Sequence, residues 1–123
     1  MSNERRDYSL FLEDIMQAIE KIETYTKNLT LDEFRAGSMA VDAVIRNFEV
    51  IGEASKNIPQ NVKKKYPHVE WKEAAGFRDV MIHEYFGVDT ESVWDTIKNN
   101  IPALKNHIVE VMMSERKDKD KLG

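Results

Sequence analysis

The chain contains no cysteine, which excludes disulfides, thiolate nucleophiles and zinc sites built on cysteine, and leaves nothing that points to an oxidising compartment. Long apolar runs are missing as well. The N-terminal segment MSNERRDYSLFLEDIMQ interrupts its hydrophobic positions with acids, so it fits neither a secretory signal nor a membrane span. A soluble, cytoplasmic protein is expected. No segment alternates in the manner of a strand, and no internal repeat or second domain is visible. What is present is 123 residues with 41% hydrophobic content, enough for one domain with a real core.

The net charge is −4, which taken as an average argues against a nucleic-acid protein, because phosphate affinity comes from clustered Lys and Arg. The average conceals a gradient. Residues 56–78 hold 6 basic residues against 2 acidic ones, whereas residues 1–55 hold 6 against 11. Lys63, Lys64, Lys65 and Lys72 fall in the basic stretch and form a weak candidate surface for RNA phosphates. A solvated face without a partner is the ordinary reading of such a run.

Helical periodicity dominates throughout. Tyr8, Phe11, Ile15, Ile19, Ile22 and Tyr25 recur at spacings of three and four and predict a first long amphipathic helix. Thr30 and Glu33 fit a capping box that opens a short second helix, ended by Gly37. Ser38 is a suitable N-cap for a third helix whose stripe is Val41, Val44, Ile45, Phe48, Ile51 and Ile58, closed by Pro59. After a Lys-rich connection, PQNVKKKYP, a fourth helix is predicted from about Val69 through Phe86, stopping at Gly87. A fifth begins near Asp89 or Thr90 with a seam of Trp94, Ile97, Ile101, Leu104, Ile108 and Val111, kinked at Pro102. The resulting architecture is all-α, an antiparallel up-and-down bundle of four long helices plus a short extra one. Residues 1–113 form the single helical domain in this reading, and residues 114–123, charged with both signs, form a frayed tail.

The fourth helix carries the unusual residues. In GFRDVMIHEYFGVD an arginine, a histidine and a tyrosine sit in an otherwise apolar run, and a buried unpaired charge is costly unless it is put to use. At 100° per residue from Arg78, Tyr85 lies at about −20°, Asp79 at about 100° and His83 at about 140°. Asp79 and His83 are thus neighbours one turn apart, and a phosphate over this end of the helix could meet Arg78, His83 and Tyr85 together. No metal-ligand cluster accompanies them, and HEYFG fails as a zinc H-E-x-x-H motif because Gly87 takes the second histidine's place. The chemistry left to such a set is cleavage of RNA by its own 2′-hydroxyl: His83 moves the proton, Arg78 stabilises the phosphorane, and Asp79 holds the imidazole tautomer. Periodicity alone leaves a second reading open, in which Arg78 and Asp79 make ordinary surface contacts, His83 is a satisfied semi-buried histidine and Tyr85 is a packed aromatic. His68 and His107 have no comparable company in the sequence and receive no role.

The spacing Arg78, four residues, His83, one residue, Tyr85 resembles the R-x4-H-x-Y motif of the HepT-like proteins, a branch of the HEPN superfamily of helical nucleic-acid-processing domains. The match is broader than the motif: four segments, FLEDIMQAIEKIETYT, DAVIRNFEVIGEASKNIP, YPHVEWKEAAGFRDVMIHEYFGVD, which holds the motif, and VWDTIKNNIPALKNHI, are similar to that family's segments in the same order, over roughly Tyr8 to Ile108. The resemblance implies a homodimeric ribonuclease toxin that needs no metal or other cofactor, with Arg78 and His83 of both protomers lining a shared cleft. It also implies a minimal nucleotidyltransferase as antitoxin, which transfers AMP from ATP to the motif tyrosine, here Tyr85. Asp79 occupies a position where the family usually carries a polar residue, often Asn. A non-catalytic helical adaptor that binds and regulates a nucleotidyltransferase is the alternative function for the same surface.

Overall fold

The computed structural model describes the backbone of residues 2–83 and 89–122 and, within these, the side chains of all but residues 2–7, Ser38, 78–83 and 119–122. The described residues form seven helices and no strand: α1 Ser2–Thr26, α2 Leu31–Ala36, α3 Ser38–Lys56, α4 Gln60–Lys65, α5 Trp71–His83, α6 Thr90–Asn99 and α7 Ile101–Leu122. The predicted all-α bundle is therefore present, with α1, α3, α5 and α7 as its longer members. Among the described residues no helix is long and apolar enough to cross a membrane.

Helix α3 is the centre of the packing, pressed against α1 on one side and α5 on the other. Its stripe supplies Val44, Phe48 and Ile51, all fully buried, opposite Ile15, Ile19 and Ile22 of α1 in the same core. Each such side chain contributes roughly 1.5–3 kcal/mol on burial. Two cross-links fix the direction of α7 against α1. Tyr8 near the start of α1 donates to Glu115 late in α7, and Lys105 early in α7 pairs with Glu23 late in α1 at 2.8 Å, so the two helices run antiparallel.

Several local expectations change register. The stripe of α1 ends on Thr26, 2% exposed, while Tyr25 is 41% exposed; the 3.6-residue turn calls for a step of four after Ile22, and the Thr26 hydroxyl is satisfied by donating to the Ile22 carbonyl at 2.8 Å. The capping box forms as predicted, Thr30 Oγ1 accepting from Glu33 N at 3.2 Å and Glu33 Oε1 from Thr30 N at 2.9 Å. The N-cap of α3 is Gly37 rather than Ser38. Only one residue separates α2 from α3, so Gly37 must take both the exit and the entry, and Ser38 falls inside the first turn.

The Lys-rich connection is itself a short helix, α4, anchored by buried Val62; one apolar residue in so short a span leaves no periodicity to read. Helix α5 starts at Trp71 rather than Val69, and its predicted end at Phe86 and Gly87 lies outside the described residues. The predicted fifth helix is two helices. It breaks at Asn100, and Pro102 sits in the first turn of α7, where its missing N–H has no carbonyl to serve. Val93 replaces Trp94 as the fully buried seam residue, Trp94 being only partly buried against the core. Helix α6 gains the side-chain cap that its sequence suggests, Asp89 Oδ1 accepting from Glu91 N and Ser92 N, both at 3.2 Å.

The charged segment from Ser114, where fraying was expected, continues α7 to Leu122. Glu115 explains why the helix persists. It accepts hydrogen bonds from Tyr8, from Tyr66 at 2.5 Å and from Lys65 at 2.9 Å, and Asp118 pairs with Lys65 at 2.5 Å. Three elements thereby close on one carboxylate.

Candidate functional site

Three contacts hold the helix that carries the motif. Trp71 is 6% exposed and donates its indole N–H to the Tyr66 carbonyl at 2.9 Å. Ala74 is 1% exposed and leaves room for close approach. Phe77 meets Phe48 of α3 edge-on, with ring centroids 5.2 Å apart and planes at 83°. The anchoring therefore runs up to the residue immediately before Arg78.

From that anchor α5 continues as a regular helix through Arg78, Asp79 and His83. Five residues on such a helix separate Arg78 from His83 by about 7.5 Å along the axis and about 140° around it, and place Asp79 one turn before His83. The side chains of Arg78, Asp79 and His83 lie outside the described residues, as does the whole of Tyr85.

The four candidate lysines do not form one patch. Lys65 is committed to Glu115 and Asp118, and the hydrogen bonds that its ammonium donates to Asp118 and then to Glu115 hold it well above the usual lysine range. Lys64 and Lys72 are exposed and Lys63 is half-buried, and none of the three makes an ion pair among the described residues. All four precede the motif, on α4 and the first turn of α5.

Sequence reasoning missed a polar seam between residues 65–73 and residues 100–115. Glu73 meets Asn100, Glu70 meets His107 Nδ1 at 3.0 Å, His68 Nε2 meets Glu110 at 3.1 Å, and Tyr66 meets Glu115. The order again shows antiparallel packing. His68 and His107, which have no partners in sequence, lie edge to face with centroids 5.2 Å apart. The one sequence signal was the spacing of His107 and Glu110, three residues apart on one helix face. At the end of the seam, burial pushes the Glu115 carboxyl up, but the hydrogen bonds from Tyr66, Tyr8 and Lys65 outweigh it and hold the group below its ordinary value. No group of three or more His, Asp or Glu side chains suited to a metal ion occurs among the described residues.

Two depressions on the described surface have a defined lining. One, of about 370 Å³, is lined by Asp42, Ala43, Ile45, Arg46 and Glu49 of α3 alone. The other, of about 130 Å³, lies between the first half of α5 and the α6–α7 junction, with Phe77 in its lining.

Comparison with known proteins identifies the family. Residues 15–111 match the family model described as ribonuclease HepT-like, a span that takes in α3, α5 and the whole R-x4-H-x-Y motif. A Thermococcus cleftensis protein named a probable ribonuclease HepT is 46% identical over 101 residues, covering 82% of this chain and 92% of its own. A Methanocaldococcus jannaschii protein provisionally named an RNase is 44% identical over 119 residues, 96% of this chain and 98% of its own. A second protein of that organism, named a gamma-glutamylcyclotransferase and provisional RNase, is 46% identical over 117 residues; the match takes 95% of this chain but spans only about half, 52%, of the larger protein. No solved structure matches.

Proposed function

The chain belongs to the HepT-like ribonuclease family, and on that premise we propose that it is a metal-independent endoribonuclease acting as the toxin of a toxin–antitoxin pair in the cytoplasm. The observation that carries the reading is an intact R-x4-H-x-Y motif within the matched span, on a helix clamped by the Phe48–Phe77 contact just before Arg78. In the proposed reaction the RNA 2′-oxygen attacks the neighbouring phosphorus and the bond to the 5′-oxygen breaks. His83 takes the 2′-hydroxyl proton and returns a proton to the leaving oxygen, and Arg78 stabilises the charge that builds on the phosphorane. Asp79, one turn from His83, orients the imidazole. The product is a 2′,3′-cyclic phosphate, and DNA, without the 2′-hydroxyl, is not cut.

One helix provides a single Arg and a single His, so a cleft charged on both sides of a phosphate is most simply built across a two-fold axis, with the Arg78–Phe86 arc at a homodimer interface. Lys63, Lys64 and Lys72, and more weakly Lys65 with its two acidic partners, supply distant phosphate contacts. The partner is a minimal nucleotidyltransferase that silences the toxin by attaching AMP to Tyr85.

Cleavage of labelled single-stranded RNA by the purified protein tests the reading. Arg78→Ala and His83→Ala are each expected to lose about 100-fold or more in rate while remaining folded dimers, and EDTA is expected to leave the wild-type rate unchanged. A folded His83→Ala protein that still cuts would overturn the mechanism. A wild-type protein that binds the nucleotidyltransferase but cuts no RNA would make it the adaptor instead.

A further inference from the structure

The smaller depression has an apolar floor and a polar rim. Ala74, Phe77 and Leu104, exposed by 1%, 7% and 2%, form the floor, and Glu73, Asn99 and Asn100 stand around it. The Asn100 side-chain amide donates to Glu73 Oε1, which fixes the carboxylate over the groove. Glu70 also lines the groove, but its carboxylate meets His107 at 3.0 Å.

We propose that this groove is the nucleobase subsite of the ribonuclease and that it selects guanine in a nucleotide next to the scissile phosphate. The inference rests on the ribonuclease reading and adds a specificity to it. Its volume of about 130 Å³ is well below the roughly 300–1,000 Å³ of pockets that enclose whole drug-sized ligands, so it suits one ring system. The apolar residues at the floor can bear on part of a base, and the rim then reads the base edge.

The rim chemistry discriminates. An ionised carboxylate only accepts hydrogen bonds, with about four lone-pair directions, so the bond from Asn100 leaves Glu73 free to accept more. Guanine alone offers two adjacent N–H donors, N1–H and the 2-amino group, on its Watson–Crick edge. Adenine and cytosine would each turn one acceptor toward the carboxylate, and uracil offers a single donor between two carbonyls. The exposed Asn99 amide can donate to guanine O6. Because Asn100 already holds Glu73 in place, less side-chain freedom is lost when the base arrives.

The position also fits. Glu73 to Phe77 centre about one helical turn before Arg78, roughly 5 Å along α5, so a base held here leaves its backbone within reach of the proposed catalytic end.

Two measurements test the groove. Titration of the protein with GMP, IMP and AMP, followed by the amide resonances of Asn99 and Asn100, is expected to give shifts with GMP, weaker ones with IMP, which lacks the 2-amino group, and none with AMP. Mapping of cut sites in RNA carrying a single guanosine is expected to place cleavage beside it, with a preference of about 10-fold or more. Glu73→Gln is expected to abolish that preference, bringing the rate beside guanosine down toward the rate beside the other bases; Glu73 is exposed, and Glu73→Ala serves as a second variant. Guanine preference that survives in both variants, or cleavage by the wild type without regard to base, overturns the groove and leaves the ribonuclease reading intact. If the wild type cuts no RNA, that reading fails, and GMP binding no better than AMP still separately overturns the groove.

Discussion

Phe77 and Phe48 meet edge to face at 5.2 Å, and this contact joins the packing of the bundle to the placement of the motif. Phe77 is the last residue of α5 before Arg78, and Phe48 is fully buried at the centre of α3. Truncating Phe48 to Ala should therefore cost about 3–5 kcal/mol of stability, read as a lower denaturant midpoint. Phe48→Leu should cost less and lower the cleavage rate even where the protein remains folded, because the motif helix loses its lateral stop. A Phe48→Leu enzyme with unaltered cleavage would separate the core from the site.

Glu115 makes acid stability measurable at one residue. Its folded-state carboxyl is held below the ordinary value, so its contribution is complete above the unfolded pKa of about 4.3 and is lost as the pH falls through the folded value. The stability difference between wild type and Glu115→Gln should be largest above about pH 5 and shrink toward pH 3. Denaturant unfolding at several pH values checks the sign; a difference that grows on acidification would contradict it.

Ser55 is fully buried, and its hydroxyl has no hydrogen-bond partner among the described residues. Removing a buried polar group that lacks a partner relieves a desolvation cost of about 1–3 kcal/mol, and alanine is the better helix former. Ser55→Ala should raise the unfolding midpoint. A clear loss of stability would mean that the hydroxyl is satisfied.

Tyr85 shares Arg78's face in the sequence register. If AMP is attached there, its phosphodiester charge should stand in for the scissile phosphate and block RNA. Tyr85→Phe should keep most of its ribonuclease activity and escape silencing by the nucleotidyltransferase with ATP. Intact mass after co-incubation should show added AMP on wild type and none on Tyr85→Phe; equal labelling of both would reject Tyr85 as the acceptor.

The sequence by itself determined what depends on residues a few positions apart. The helices followed from three-and-four spacing, the capping box from Thr30 and Glu33, and the motif from the distances between Arg78, His83 and Tyr85, because helix geometry converts such spacings directly into faces. Where only one residue separated two helices, at Gly37 and at Asn100, local signals gave the element and missed its boundary. Tertiary structure decided what joins distant residues. His107 finds Glu70 across 37 positions, Lys65 is taken by Glu115 across 50, and Glu73 reaches Asn100 across 27. A charged side chain has the same local pattern whether it meets water or a partner. Only the antiparallel docking of α7 on the 65–73 segment turned a charged tail into a clasp, a lysine run into one committed side chain and three without an ion pair among the described residues, and two unconnected stretches into a groove.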